Sequence, residues 1–335
     1  MFLKGINYDV GTFYHPDVCT RPVFNEQVIF QEISMIRNEL HCECIRISGY
    51  DLNRLIKTSE YALELGMQVW FSPVWIDATQ EQNAKFLCEC AVAAEKLRNK
   101  YPQIVFVAGC EHSLYTQGFI KGEDPYKRIA KMFGVSGVLL NVFGFRNKVY
   151  KKINHFLENT IQGIRAAFHG KISYASGTWE KIDWSVFDVI GINHYRSLFN
   201  QSSYVQKLRS YQAYKKPVAV TEFGCCTYEG AEKAGGGGWN IIEMKDGKRK
   251  IKSKFKRSEA TQAKYIVDLL EIFAQENIDA AFVFTFINPV FEHNTDPEYD
   301  FDMASYGIVK PVNNDEGLFF QPKEAFHQLA KFYGS

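Results

Sequence analysis

Two glutamates, Glu111 and Glu222, each close an apolar, strand-like run, about one third of the chain apart. Glu111 follows Ile104-Val105-Phe106-Val107-Ala108-Gly109-Cys110, and Glu222 follows Pro217-Val218-Ala219-Val220-Thr221 and precedes Phe223-Gly224. A carboxylate that a buried parallel strand carries toward an apolar barrel is costly to place. The carboxyl ends of barrel strands are also where active sites are built. Two facing carboxylates are what hydrolysis of a glycoside needs, one to protonate the leaving oxygen and one to attack the sugar carbon. The pattern points to an enzyme.

Positioning two such residues requires repeated βαβ units, and the chain supplies the alternation of β-branched runs with helical periods that marks them. The expected strands are Leu3–Asn7, Cys44–Ser48, Gln68–Ser72, Ile104–Cys110, Lys171–Ala175, Val186–Asn193, Pro217–Glu222 and Ala280–Ile287. Eight is the number that closes a parallel (β/α)8 TIM barrel. Helical periods cover Gln80–Lys100, Asn147–Phe168, Tyr204–Tyr214 and Ser258–Glu276, the last beginning on a capping serine. Only a turn or two of helix fits between the fifth and sixth strands. Two connections are long, 224–257 after the seventh strand and 288–322 after the eighth. Loops of that length are binding loops and lids when they leave the catalytic end. The basic run Lys245–Arg257 reads as a solvated hairpin turning at Asp246-Gly247.

Composition narrows the function classes. The chain has 335 residues, 46% hydrophobic and 15% aromatic, enough for one large core, and 1–335 reads as one catalytic barrel domain. With 39 basic and 38 acidic side chains the net charge is +1, so no field draws nucleic acid or an acidic membrane. No apolar stretch is long enough to span a bilayer, and Met1–Asn7 enters a strand at once, which argues against an export signal. Cys19, Cys42, Cys44, Cys88, Cys90, Cys110, Cys225 and Cys226 form no Cys-x-x-Cys pair and read as reduced, buried thiols. A cytoplasmic location is expected. Glu292, His293 and Asp296 lack companion histidines, no Gly-x-Gly-x-x-Gly occurs, and neither metal nor cofactor is expected. The expected partner is a small carbohydrate, and the oligomeric state is left open.

Thr221-Glu222-Phe223-Gly224, the preceding run Asp188-Val189-Ile190-Gly191-Ile192-Asn193-His194-Tyr195, and Arg46 ending the second strand together resemble the clan A retaining glycoside hydrolases. The whole chain also resembles bacterial proteins labelled abortive infection proteins, a label that names a phenotype and no chemistry. The clan resemblance implies that Glu222 is the nucleophile, Glu111 the acid/base, Arg46 the arginine beside the nucleophile and Tyr195 the tyrosine after the sixth strand. Two departures stand out. Cys110 replaces the clan's asparagine before the acid/base, a residue that binds the sugar 2-hydroxyl, so His112 or Asn193 is the alternative donor. The clan's frequent tryptophan at the eighth strand is missing, with Phe286 and Asn288 in that region.

The two roles set physical demands. Glu222 must be ionised, which Arg46 and a hydrogen bond from Tyr195 favour, whereas Glu111 needs a raised pKa from its apolar strand and from the nearby charge. A retaining pair is expected at roughly 5–5.5 Å. Further sugar contacts are expected from Tyr8 and Asp9 after the first strand and from Trp75 and Asp77 after the third. His194 is a candidate to orient the nucleophile or bind a hydroxyl, and Trp239 a candidate lid residue, while Trp70 reads as core. Long loops closing one end of the cleft suggest exo-type action on a small intracellular glycoside or short oligosaccharide. The alternatives are a lyase or isomerase using the same glutamates, or a non-catalytic sugar-binding or phage-defence barrel.

Overall fold

The computed structural model describes residues 2–15, 18–134, 144–314 and 317–335. Its centre is a closed barrel of eight parallel strands. These are β1 (Leu3–Asp9), β2 (Cys44–Gly49), β3 (Gln68–Pro73), β4 (Ile104–Cys110), β5 (Lys171–Gly177), β6 (Ile190–Asn193), β7 (Val218–Phe223) and β8 (Ala280–Val283). Each pairs with its neighbours in chain order, and β1 closes on β8. Parallel neighbours need crossovers, and the long ones here are helical. They include α1 (Glu26–Asn38), α2 (Leu52–Glu64), α3 (Gln80–Lys100), α4 (Phe145–Ala167), α5 (Tyr204–Gln212) and α6 (Glu259–Gln275), with α7 (Glu324–Gly334) ending the chain. Thr79 and Gln82 form a reciprocal capping box at the start of α3, and the Ser258 hydroxyl accepts from the Thr261 N–H to open α6.

Two expected strand boundaries shift by four residues, the others by two at most. β6 begins at Ile190 rather than Val186, because Asp183 caps a 3₁₀ turn over Trp184–Val186 that uses up the expected strand start. β8 stops at Val283 rather than Ile287: beyond it the chain exchanges hydrogen bonds with 306–309 through Thr285 N to Tyr306 O and Ile308 N to Thr285 O. The basic run does form a hairpin, Ile242–Lys245 against Lys248–Ile251, with positive φ at both Asp246 and Gly247. In the connection 288–322, Asp315 and Glu316 lie outside the described residues.

Strand alternation sorts the side chains into two layers. Cys44, Trp70, Val105, Val107, Ala175, Ala219 and Phe282 fill the barrel interior as one cluster, with Trp70 against Phe282 at 4.8 Å between ring centroids. Ile6, Tyr8, Ile45, Ile47, Phe71 and Phe106 point the other way, into the larger core beneath the helices.

The two long connections are clasped to each other by buried charge. Lys323 and Asp302 are fully buried and pair at 3.1 Å; Arg257 bonds Asp302 at 2.9 Å and Asp300 at 3.0 Å, and His293 Nδ1 lies 2.9 Å from Asp300. Burial works against the Lys323 ammonium, and Asp302 opposes that effect. Removing one partner of such a pair leaves an uncompensated charge. Asp302→Asn should therefore cost about 3 kcal/mol of unfolding free energy, read from urea denaturation.

Candidate active site

The floor of the site is assembled from strands that meet only in the closed barrel. Arg46, on the lumen side of β2, is buried and donates from Nη1 to Glu222 Oε1 at 2.6 Å and to Asn7 Oδ1 at 3.1 Å, and from Nε to Ser72 Oγ at 3.1 Å. Asn7 in turn donates to the carbonyl of Thr221 at 2.9 Å, tying β1 to the strand that carries Glu222. The other Glu222 oxygen accepts the Tyr195 hydroxyl at 3.1 Å. Glu222 is thus held from two sides, by an always-charged guanidinium and by a neutral donor.

Glu111 is positioned differently. A register shift between Val107 and Cys110 ends the regular pairing of β4 with β5. Glu111 then takes a left-handed φ of 42°, its N–H donating to Ala175 O at 2.9 Å. A non-glycine residue held there stores strain of the order of 1–3 kcal/mol, and such outliers cluster at functional sites. Glu111 Oε1 accepts from Asn193 Nδ2 at 2.9 Å, and Asn193 is oriented by the Thr221 hydroxyl at 2.8 Å. Burial first, and then the charge of Glu222, push the Glu111 carboxyl well above the usual carboxylate range. The protonated form of Glu111 is thereby favoured, whereas Glu222 is clamped by a cation.

Cys110 lies against Glu222 and Asn193. Its Sγ is 3.4 Å from Asn193 Nδ2 and 3.5 Å from Glu222 Oε1. Burial and then the Glu222 charge raise the thiol, so it stays protonated and can serve as a weak donor to Glu222. Asn193, Arg46 and Tyr195 are thus brought together around the glutamates, Asn193 on Glu111 and the other two on Glu222.

Other expected contacts are made elsewhere. Tyr8 is on the outward face of β1, its hydroxyl bonded to buried Glu32, because alternation turns it away from Asn7. Asp9 shares the inward face, but its carboxylate caps the turn at Gly11 at 2.9 Å. His112 cannot replace the missing asparagine. Its ring stacks on Tyr174, its Nδ1 lies 2.8 Å from Thr116 Oγ1 and its Nε2 3.1 Å from Ala108 O, and burial lowers it to about 4. His194 follows Asn193 and so faces outward, stacked on Tyr204 at 3.9 Å and lowered by burial to about 4. Asp77 is taken by buried Arg128 at 2.7 Å, and Trp75 packs against Tyr50 and Phe86. Just past β8, Phe284 borders Tyr195 at 6.5 Å, while Phe286 packs on Tyr8 and Phe320.

Several residues at the site show their roles only in the structure. Asn7 ends the first expected strand and Thr221 belongs to the Thr221-Glu222-Phe223-Gly224 run, but what they and Ser72 bond to is set when the barrel closes around Arg46. Tyr14 and Tyr115 meet edge-to-face at 5.7 Å, and both hydroxyls feel the charges of Glu222 and Glu111. Tyr306 packs against Tyr195 at 5.7 Å, its hydroxyl accepting from Gly238 N at 3.0 Å and donating to Gly235 O at 2.8 Å. That pins the glycine-rich segment over the site, and Trp239 beside it meets Tyr126 at 5.8 Å, so connections after β7 and β4 touch.

No known protein family matches the chain at the level of sequence, and no curated protein does. Solved structures do resemble it. A GH113 β-1,4-mannanase is 15% identical, with 100% of this chain and 99% of that one covered and a TM-score of 0.63. A GH113 β-mannanase from Alicyclobacillus acidocaldarius is 13% identical, with 99% and 97% covered and a TM-score of 0.62. A Bacteroides uniformis β-glucuronidase is 13% identical, with 99% of this chain but 35% of that one covered and a TM-score of 0.57. At these identities the likeness is one of fold: a (β/α)8 barrel of the kind found in those hydrolases.

Proposed function

We propose that this protein is a retaining glycoside hydrolase of the clan A type, acting on a small β-glycoside or short oligosaccharide. The observation that carries the reading is the contrast within one pair of carboxyls. Glu222 is clamped by Arg46 at 2.6 Å and Tyr195 at 3.1 Å, whereas Glu111 is buried, strained and has its pKa raised by burial and by the Glu222 charge. In the first step Glu222 attacks the anomeric carbon while Glu111 gives its proton to the departing oxygen. In the second, Glu111, now ionised, takes a proton from the water that releases the sugar from Glu222. Asn193 bonds Glu111 and is available to follow it through both states. The β configuration and the choice of sugars to test draw on the mannanase and glucuronidase likeness.

The pinned segment 235–238 and the Trp239–Tyr126 contact support an end-closed cleft and removal of one unit at a time. A cytoplasmic setting is proposed from the eight free cysteines, and among the described residues no helix is long and apolar enough to cross a membrane.

The test is hydrolysis of a panel of 4-nitrophenyl β-glycosides, including mannoside, glucoside and glucuronide, with the product anomer followed by NMR. Retention of configuration is expected. Inversion removes the retaining mechanism, and release of internal fragments from a long glycan removes exo action. The pH profile is a second check. Activity on a substrate with a poor leaving group should fall as pH rises through the raised pKa of Glu111, because the acid is then lost. With a good leaving group that alkaline limb should largely vanish from the glycosylation step.

A further inference from the structure

A third buried carboxylate, Glu180, belongs to no step above. It lies in the turn after β5, its own N–H bonded to Gly177 O at 2.9 Å, and is 5% exposed. Oε1 accepts the N–H of Ser113 at 2.9 Å. Oε2 accepts the Tyr174 hydroxyl at 2.8 Å and the Ser176 hydroxyl at 3.1 Å. The Tyr174 oxygen in turn accepts the N–H of His112 at 2.8 Å, and Trp179 Nε1 donates to Ser113 Oγ at 3.1 Å. The two peptide groups that follow Glu111 are therefore held by one carboxylate, one directly and one through a tyrosine.

From this geometry we infer that Glu180 is a positioning residue for Glu111, fixing the left-handed turn that aims the acid/base and adding a negative charge behind it. The inference rests on the acid/base role proposed for Glu111. Nothing else in the turn needs an ion: a peptide N–H and two hydroxyls are satisfied by a neutral acceptor, at lower cost than a buried carboxyl. Burial raises Glu180 despite its donors, and its charge adds to that of Glu222 in raising Glu111. Among the described residues, the other groups facing Glu111 include Arg46, Cys110, Tyr14, Tyr115 and Tyr195.

The test uses Glu180→Gln and Tyr174→Phe in the full chain. The first is nearly isosteric and removes the charge; the second cuts the relay to His112 and keeps the ring that stacks on it. In protein labelled with ¹³C at the glutamate carboxyl, the Glu111 signal is identified by its loss in Glu111→Gln. Its titration midpoint should move to lower pH in Glu180→Gln. On a glycoside with a poor leaving group, kcat should fall about tenfold to a hundredfold in both variants with KM little changed. Activated aryl glycosides should be spared at glycosylation. A Glu111 midpoint unmoved in folded Glu180→Gln, or an unaltered kcat in Tyr174→Phe, overturns the inference. If the wild type turns over no glycoside while the midpoint still moves, the positioning stands and the hydrolase reading fails. Should Glu180→Gln not fold, Tyr174→Phe decides the matter through kcat.

Discussion

Glu222→Gln should abolish turnover of every glycoside the protein cleaves, by on the order of 10⁴-fold or more in kcat, because no attacking group remains. The amide keeps the shape of the side chain, so binding should be altered far less than kcat. Arg46 Nη1 sits 2.6 Å from the replaced oxygen and would face a neutral group, which costs stability as well as activity. A control for that effect is the circular dichroism and melting curve of the variant. A 2-deoxy-2-fluoro glycoside with a good leaving group should label the wild type on Glu222, located by peptide mass spectrometry, and leave the variant unlabelled. Label on another carboxylate, or undiminished turnover in the variant, sinks the nucleophile assignment.

Glu111→Ala should show a loss that depends on the leaving group. For a poor leaving group, about 10³–10⁴-fold in kcat/KM should be lost, since proton donation carries that step. For a 2,4-dinitrophenyl glycoside the glycosylation step should be nearly unaffected, and the glycosyl-enzyme should accumulate because no base remains to activate water. Azide, which needs no base, should enter the space left by the side chain and restore turnover, giving a glycosyl azide of retained configuration. The structure adds a specific expectation. Asn193 Nδ2 loses its acceptor on Glu111 and keeps Cys110 Sγ at 3.4 Å, so Glu111→Gln should disturb the site less than Glu111→Ala while failing equally as an acid. Equal losses on activated and unactivated substrates, without azide rescue, would count against the acid/base role.

The fold and the glutamate pair were legible in the sequence for a local reason. Buried parallel strands need continuous apolar runs, and eight of these spaced by helical periods leave few alternatives to a barrel. A carboxylate at the end of such a run advertises itself, because burial would otherwise select against it. Tyr195, just past β6, entered only through the clan resemblance, and Asn193 as one of two candidates to stand in for the asparagine that Cys110 replaces. What the sequence could not decide was which way each neighbouring side chain faces. Tyr8, His112 and His194 lie one residue from lumen positions or past a register shift, and a single step moves a strand residue to the opposite face. Nor could it say which partner claims a polar group: Asp77 went to Arg128, 51 positions away, and Glu180 to a turn 67 positions from it. Those pairings exist only once the barrel has closed, because closure brings strand ends distant in sequence into one ring where each buried polar group must find its donor.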